Sequence, residues 1–149
     1  MQKITPFLWF NDNAEAAVKF YTTIFKDSKI LSVSRKGKKF FTATIKLQGQ
    51  EVMLLNGGPL FPFTPAISFF VRCKDQREVD YYWNKLSKGG KKSRCGWLQD
   101  KYGLSWQIIP DALGKYLTDK NPEKAGRAWD AMMKMSKIDI AALKKAHQG

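Results

Sequence analysis

The residues that most often carry enzyme chemistry are few in this sequence. The only histidine, His147, lies at the C-terminal end, and the only cysteines, Cys73 and Cys95, form no C-x-x-C pair. A Ser-His-Asp triad, a Cys-His pair or a cluster of histidine metal ligands therefore has no histidine to use in the body of the chain. The two thiols are predicted to be reduced and structural.

The charge of the chain raises the question of an anionic partner. Lysine and arginine total 26 against 13 acidic residues, a formal net charge of +13. Such a charge can indicate a nucleic-acid partner. Only five of the basic residues are arginine, however, and direct reading of bases relies on bidentate arginine. The distribution argues against a nucleic-acid role, and a basic nucleic-acid-binding module remains a less favoured alternative.

Composition and length predict a folded domain. The chain has 149 residues, of which 44% are hydrophobic and 13% aromatic, enough for a real core. No stretch approaches the roughly 18 to 20 unbroken apolar residues of a membrane span. The first residues lack the long apolar core of a signal peptide. We therefore expect a cytoplasmic protein without a membrane partner.

Two segments repeat the same order of a strand and a capped helix. The first segment runs over 4–25 and the second over 66–87, and their capping residues Asp12 and Asp75 lie 63 positions apart. Each helix start carries an Asp-x-x-Glu spacing, which is typical of a carboxylate cap answered by a glutamate three positions later. The capping positions are Asp12 with Glu15, and Asp75 with Glu78. The match predicts an internally duplicated module.

The remaining pattern completes each module with three strands. Alternating and apolar runs predict strands over 30–34, 40–47 and 51–56 in the first module, and over 91–94, 96–99 and 104–109 in the second. Helix starts follow at Asp111, at Asn121-Pro122 and at Asp139. We predict an α+β fold in a single domain. Its parts are a first module over 2–56, a linker over 57–65, a second module over 66–110 and a helical extension over 111–147.

Several strings resemble those of PhnB-like proteins. They are Ile4 to Phe10, Leu55-Asn56-Gly57-Gly58-Pro59, Ala66 to Phe69, Cys95-Gly96-Trp97-Leu98 and Asp100 to Gln107. These proteins are the "3-demethylubiquinone-9 3-methyltransferase" domain group of the glyoxalase/bleomycin-resistance/extradiol-dioxygenase superfamily, also called vicinal oxygen chelate proteins. The resemblance implies two βαβββ modules whose curved mixed sheets enclose a pocket, and it implies a homodimer.

The same resemblance identifies the places of a metal site. In metal-dependent relatives, a His or Gln from the first strand of each module and a Glu from the last strand hold a divalent ion. The matching places here are Thr5, Met53, Ser68 and Gln107. A thioether and neutral oxygen donors are poor ligands for such an ion. We therefore predict no tightly bound metal and no cofactor.

The methyltransferase label of the group does not fit the sequence. A class I methyltransferase needs a Gly-rich turn after its first strand, so that the backbone can approach the cofactor. Here the first predicted strand ends in Asn11-Asp12-Asn13, and no glycine occurs before Gly37. Methyl transfer is therefore not expected.

Alternation places one set of side chains on a shared strand face. This candidate ligand pocket comprises Thr5, Phe7, Trp9, Met53, Leu55, Ser68, Phe70 and Gln107. Its apolar and neutral character predicts a small, largely apolar or aromatic ligand. Two alternatives stay open: the aromatic side chains fill the space, or the chain is a metal-dependent lyase, isomerase or dioxygenase of the same superfamily. The residues define no reaction and no catalytic group.

Overall fold

A computed structural model describes residues 2–149 and divides the chain into two compact units, up to Phe63 and from Thr64 onward. The first unit contains one helix and four strands. They are β1 (Phe7–Phe10), α1 (Ala14–Ile24), β2 (Ser28–Lys36), β3 (Lys39–Leu47) and β4 (Gln50–Asn56). The strands form a mixed sheet in the order β1-β4-β3-β2, in which β1 runs parallel to β4. The predicted βαβββ order of this module is confirmed.

The core of the first unit lies on one face of this sheet. Strand residues alternate between buried apolar positions and more exposed ones, as a sheet covered on one side requires. The buried strand residues are Leu8, Phe10, Ala43, Ile45, Leu47, Val52 and Leu54. Helix α1 contributes its own buried stripe of Ala14, Ala17, Val18, Tyr21 and Ile24. The opposite face of the sheet carries Phe7, Trp9, Met53 and Leu55.

The second unit repeats this arrangement and adds three helices. Its sheet elements are β5 (Ser68–Cys73), α2 (Gln76–Ser87), β6 (Lys91–Lys92), β7 (Trp97–Gln99) and β8 (Ser105–Pro110), with the strand order β5-β8-β7-β6. Strand β5 runs parallel to β8, as β1 does to β4. The α+β fold with two mixed four-stranded sheets, which are not closed, is the glyoxalase-type fold expected from the sequence.

The parallel strand pairs of the two modules correspond to each other. Phe7 lies opposite Met53 in the β1–β4 pair, and Phe70 lies opposite Gln107 in the β5–β8 pair. Because Phe7 and Phe70 are 63 positions apart, the registers also equate Met53 with Gln107. The offset of 63 positions applies to the first strands, whereas the paired last strands are offset by 54.

The two helix starts differ, and the predicted cap at Asp12 is wrong. At α2 the Asp75 carboxylate accepts the N–H of Glu78 at 2.9 Å, as expected. At α1 the capping position is Asn13, whose side chain makes no capping bond. The first helical N–H, that of Ala14, instead donates to Oδ1 of Asn56 at 2.8 Å. A side chain from the end of β4 thus replaces a local cap.

The C-terminal helices pack around their own apolar cluster. They are α3 (Asp111–Leu117), α4 (Pro122–Met133) and α5 (Ile140–Gln148), and the buried cluster is Leu113, Met132, Ile138 and Leu143. Asn121 and Asp139 cap α4 and α5 with their side chains, as predicted. No helix within residues 2–149 is long and apolar enough to cross a bilayer.

Candidate functional site

The predicted pocket residues lie on the face of each sheet that is turned away from the buried core; we call these the open faces. On the first sheet, Phe7 is paired with Met53, and Trp9 with Leu55. On the second sheet, Phe70 is paired with Gln107, with Ser68 one row away. The predicted pocket residues that lie on strands therefore share one face of their own sheet in each unit.

The open face of the first sheet changes from aromatic to hydroxyl-bearing across its strands. Strand β3 places Thr44 beside Met53 and Thr42 beside Leu55. One row across the sheet is therefore Phe7, Met53 and Thr44, and the next row is Trp9, Leu55 and Thr42. These threonines were missed as site residues, although their alternation with buried Ala43 and Ile45 is visible in the sequence. The face offers apolar contact with a neutral hydrogen-bonding edge.

Trp9 is engaged by the loop that follows β4. Its indole N–H donates to the carbonyl of Gly58 at 2.9 Å, and Phe61 meets the ring edge-on with 5.1 Å between centroids. A Cβ placed on Gly57 would lie 2.3 Å from Cε2 of the indole, so the loop backbone lies against the ring. Trp9 therefore holds the loop in place, and its neighbour Phe7, which is 51% exposed, is the open aromatic of this face.

Thr5 lies just before β1 and belongs to a different contact. The side-chain amide of Gln2 donates to the carbonyl of Glu51 at 3.0 Å and accepts the N–H of Glu51 at 3.1 Å. The same amide nitrogen lies 3.4 Å from the Thr5 hydroxyl. Gln2 thus hydrogen-bonds the segment before β1 to β4. It is also a polar neighbour of Thr5, which the sequence pattern did not predict.

The open face of the second sheet carries a hydrogen-bonded pair of neutral groups. The amide of Gln107 donates to the hydroxyl of Ser68, with 2.9 Å between Nε2 and Oγ. Beside this pair, Phe70 is 56% exposed, and Trp97 lies opposite Gln107 on β7. A neutral donor and acceptor next to an exposed ring can bind an uncharged aromatic molecule through one polar group.

A buried hydroxyl lies next to this pair. Ser105 is paired with Ser68 on one side and with Gln99 on the other, and it is only 1% exposed. Within residues 2–149, its Oγ has no hydrogen-bond partner. Buried polar atoms of this kind are uncommon, because leaving one unpaired costs about 1–3 kcal/mol. Ser105 lies two positions before Gln107, which puts both side chains on the same face of β8. The sequence pattern could place Ser105 on this face, but it could not reveal the missing partner.

Two acidic residues near the last strand have structural roles. The carboxylate of Asp100 accepts the backbone N–H groups of Tyr102 and Leu104, and the indole N–H of Trp106 at 2.9 Å. Asp111 pairs with Arg72 at 3.3 Å at the start of α3. Asp100 therefore organises the turn before β8. Among residues 2–149, no group of three His, Cys, Asp or Glu side chains is placed to hold a metal.

The residues at the family's metal places do not fit a divalent ion. Ser68 and Gln107 are neutral and already hydrogen-bonded to each other. Met53 supplies a thioether, which is suited to soft ions, and the Thr5 hydroxyl is a weak neutral donor. A divalent ion would lose hydrating water to these groups without gaining a charged ligand. The donor set thus argues against a tightly held divalent ion.

Comparisons with known proteins agree with this fold. The family model described as 3-demethylubiquinone-9 3-methyltransferase matches residues 2–109. A putative 3-demethylubiquinone-9 3-methyltransferase, the PhnB protein from Bacillus cereus, is 38% identical with a TM-score of 0.69, and the match covers 73% of this chain and 99% of that one. The matched family region ends before α3, so the three C-terminal helices lie outside it.

More distant structures share the fold alone. Protein PA1353 from Pseudomonas aeruginosa is 18% identical with a TM-score of 0.64, over 74% of this chain and 98% of its own. The fosfomycin resistance protein FosX from Listeria monocytogenes, in a complex with Mn(II) and sulfate, is 16% identical with a TM-score of 0.53, over 71% and 90%. No curated protein matches this chain.

Proposed function

For this chain, which belongs to the PhnB-like 3-demethylubiquinone-9 3-methyltransferase family with its glyoxalase-type fold, we propose a small-molecule-binding function. Its ligand is a small, largely apolar or aromatic molecule, held without a tightly bound metal. No reaction is assigned to it.

The observation that supports this proposal most is an exposed aromatic ring on each open face. Phe7 and Phe70 are both more than half exposed at equivalent positions of the two modules. Apolar side chains on a sheet face stabilise a protein only when something covers them. Their neighbours Met53 and Gln107 are neutral, which favours an uncharged ligand.

Methyl transfer is not part of the proposal, despite the family's name. Strand β1 leads into α1 through Asn11-Asp12-Asn13, and the first N–H of α1 is bonded to the side chain of Asn56. The four-stranded mixed sheets also differ from the doubly wound parallel sheet that supports a Gly-rich cofactor turn. Titration with S-adenosylmethionine is expected to give no binding heat.

A polarity-sensitive neutral probe tests the proposed binding face. N-phenyl-1-naphthylamine is expected to gain fluorescence on binding, and the Phe70→Ala variant should bind it at least about tenfold more weakly, because a stacked ring contributes on the order of 1 kcal/mol or more beyond buried area. Leu60→Ala is the matched control, since Leu60 is also exposed but lies in the loop. Equal weakening by both variants, or no binding to the wild type, contradicts the proposal.

Metal analysis separates this proposal from a metal-dependent enzyme of the same fold. The purified protein is expected to hold no stoichiometric Mn, Fe, Ni or Zn after dialysis, because Met53, Ser68 and Gln107 provide no charged ligand. A stoichiometric divalent ion that is lost in Gln107→Leu would favour the enzyme instead.

We also propose that the protein is a homodimer and is cytoplasmic. Strand β2, at the edge of the first sheet, exposes Ile30, Leu31 and Val33, and an apolar edge of this kind is a surface that partners cover. Light scattering at micromolar concentration should give twice the mass of 17.1 kDa. A monomer mass across the whole concentration range would refute the dimer. The location rests on composition and sequence pattern, and fractionation of the source cells tests it.

A further inference from the structure

A pair of sulfur atoms lies where the helical extension meets the second module. Sγ of Cys95 and Sδ of Met133 are 3.8 Å apart. We propose that these two side chains, with Met135, form a binding site for a soft monovalent metal ion, copper(I). The site does not depend on the proposed function.

The backbone holds Cys95 in a fixed position. Its N–H donates to the carbonyl of Met135, and the N–H of Gly96 donates to the carbonyl of Ser136, both at 2.9 Å. Cys95 itself has a φ of 59°, a conformation that non-glycine residues seldom adopt. Such a residue persists only where its surroundings impose it, and strained positions of this kind concentrate at binding sites. The two hydrogen bonds hold the backbone of Cys95 against the segment that directly follows α4, the helix that ends at Met133.

The spacing of the sulfur atoms fits one metal ion between them. Two metal–sulfur bonds of about 2.3 Å can span 3.8 Å with an angle near the tetrahedral value. Thiolate and thioether sulfur are soft ligands that select copper(I) over the harder divalent ions. The sulfur ligands of Cys95 and Met133 thus favour copper(I), and the distance between the two sulfur atoms allows one such ion to bind both.

Met135 can supply a third sulfur. It packs against the same buried cluster as Cys95, and its carbonyl already accepts the Cys95 N–H. The three rotatable bonds of a methionine let its thioether turn toward a neighbouring site. Met133 is 47% exposed, so an ion can reach the sulfur atoms from solvent.

The binding step needs only the ion. As the copper–sulfur bond forms, the Cys95 thiol releases its proton to solvent, and copper enters and remains as copper(I), so no electron is transferred. The second cysteine cannot substitute for this site. Cys73 is fully buried, and burial raises the pKa of its thiol to about 12.

Competition with a chromophoric copper(I) chelator under anaerobic conditions tests the site. The wild type is expected to bind one copper(I) per chain, and Cys95→Ser to lose that binding while it retains Cys73. Met133→Leu should weaken affinity by at least the roughly 10- to 100-fold seen for residues that only support a metal ligand. X-ray absorption should show two or three sulfur neighbours at about 2.3 Å.

Met132→Leu is the matched control, because Met132 is the adjacent thioether but is buried in the helical cluster. It should leave copper(I) affinity unchanged. The proposal is overturned if Cys95→Ser binds as well as the wild type, if Met132→Leu and Met133→Leu weaken binding equally, or if the absorption spectrum shows nitrogen or oxygen ligands. Circular dichroism verifies that each variant remains folded.

Discussion

Gln107 donates its side-chain N–H to the hydroxyl of Ser68, with 2.9 Å between the two atoms. The residues come from the parallel strands β8 and β5. The strand registers equate Gln107 with Met53, and the 63-residue offset equates Ser68 with Thr5, just before β1. A serine hydroxyl that accepts one bond still has its own hydrogen to donate, and the amide oxygen of glutamine can accept. The pair is therefore suited to a neutral ligand with both a donor and an acceptor.

Removal of this hydrogen bond should lower stability measurably. Ser68→Ala is expected to reduce the free energy of unfolding by about 1 kcal/mol, the usual net value of such a bond, because the half-buried amide of Gln107 loses its acceptor. Urea titration followed by circular dichroism measures the change. Ser34→Ala on the exposed strand β2 serves as the control and should leave the midpoint unchanged. An unaltered midpoint for Ser68→Ala would show that water replaces the bond without cost.

A glycine-to-alanine pair tests the anchoring of the loop by Trp9. The Cβ of Gly57→Ala would lie 2.3 Å from the indole, so the loop must move, at a cost of about 1–3 kcal/mol for overpacking. Gly126→Ala in α4 meets nothing within 4 Å and should instead stabilise by about 1 kcal/mol, because alanine favours the helix. Denaturant midpoints measure both changes. If Gly57→Ala is also neutral or stabilising, the indole does not restrain the loop.

Local patterns in the sequence were enough to predict the scaffold. The alternation of Phe7 and Phe70 with buried neighbours, and their shared offset, correctly predicted the two modules, because a strand has a two-residue period. The equivalence of Met53 with Gln107 was expected from the resemblance to the family, and the strand registers agree with it. The predicted caps at Asn121 and Asp139 are correct because a capping side chain bonds a backbone N–H two or three residues further along the chain.

Features that depend on distant contacts could not be predicted in this way. The loop over Trp9 depends on a hydrogen bond between residues 49 positions apart. The burial of the Ser105 hydroxyl without a partner depends on how neighbouring strands pack. No local pattern specifies either feature. The role of Asn56 at the start of α1 is also invisible, because the two groups are 42 positions apart. Where a side chain finds its partner through tertiary packing, the sequence gives the residue but not the contact.

The two helix starts give a direct comparison of a local cap with a distant one. Asp75→Ala should cost about 1 kcal/mol, because the N–H of Glu78 loses its acceptor. Asn56→Ala should cost a similar amount at α1, since it removes the acceptor of the Ala14 N–H. Asp12→Ala, by contrast, should change stability by less than about 0.5 kcal/mol, as for ordinary surface substitutions.

Free energies of unfolding from urea titration of the three variants make this comparison. If Asp12→Ala destabilised as much as Asp75→Ala, the cap of α1 would be the local one that the sequence pattern suggested. If Asn56→Ala were neutral, the bond from β4 would add nothing to the helix start.

The two cysteines should differ in reactivity and in their effect on alkaline stability. Burial raises the pKa of the Cys73 thiol from 9.0 to about 12, with the nearby carboxylates of Glu78 and Asp111 adding to the shift. At pH 8 a disulfide reagent such as Ellman's should therefore modify one thiol of the folded chain, Cys95, and a second only after unfolding. The Cys95→Ser variant, used as the control, should show no reactive thiol while folded.

The same shift makes stability fall in alkali. Below pH 9 the Cys73 thiol is protonated in both the folded and the unfolded chain, so its contribution to folding is fully present. Between pH 9 and about 12 the unfolded chain loses the proton while the folded chain keeps it, and the free energy of unfolding must decrease. Urea titrations at pH 8 and pH 10 should show this decrease in the wild type and a smaller one in Cys73→Ala, provided that this variant folds. An equal decrease in the free energy of unfolding of both proteins would mean that the Cys73 thiol ionises as readily in the folded chain as in the unfolded one.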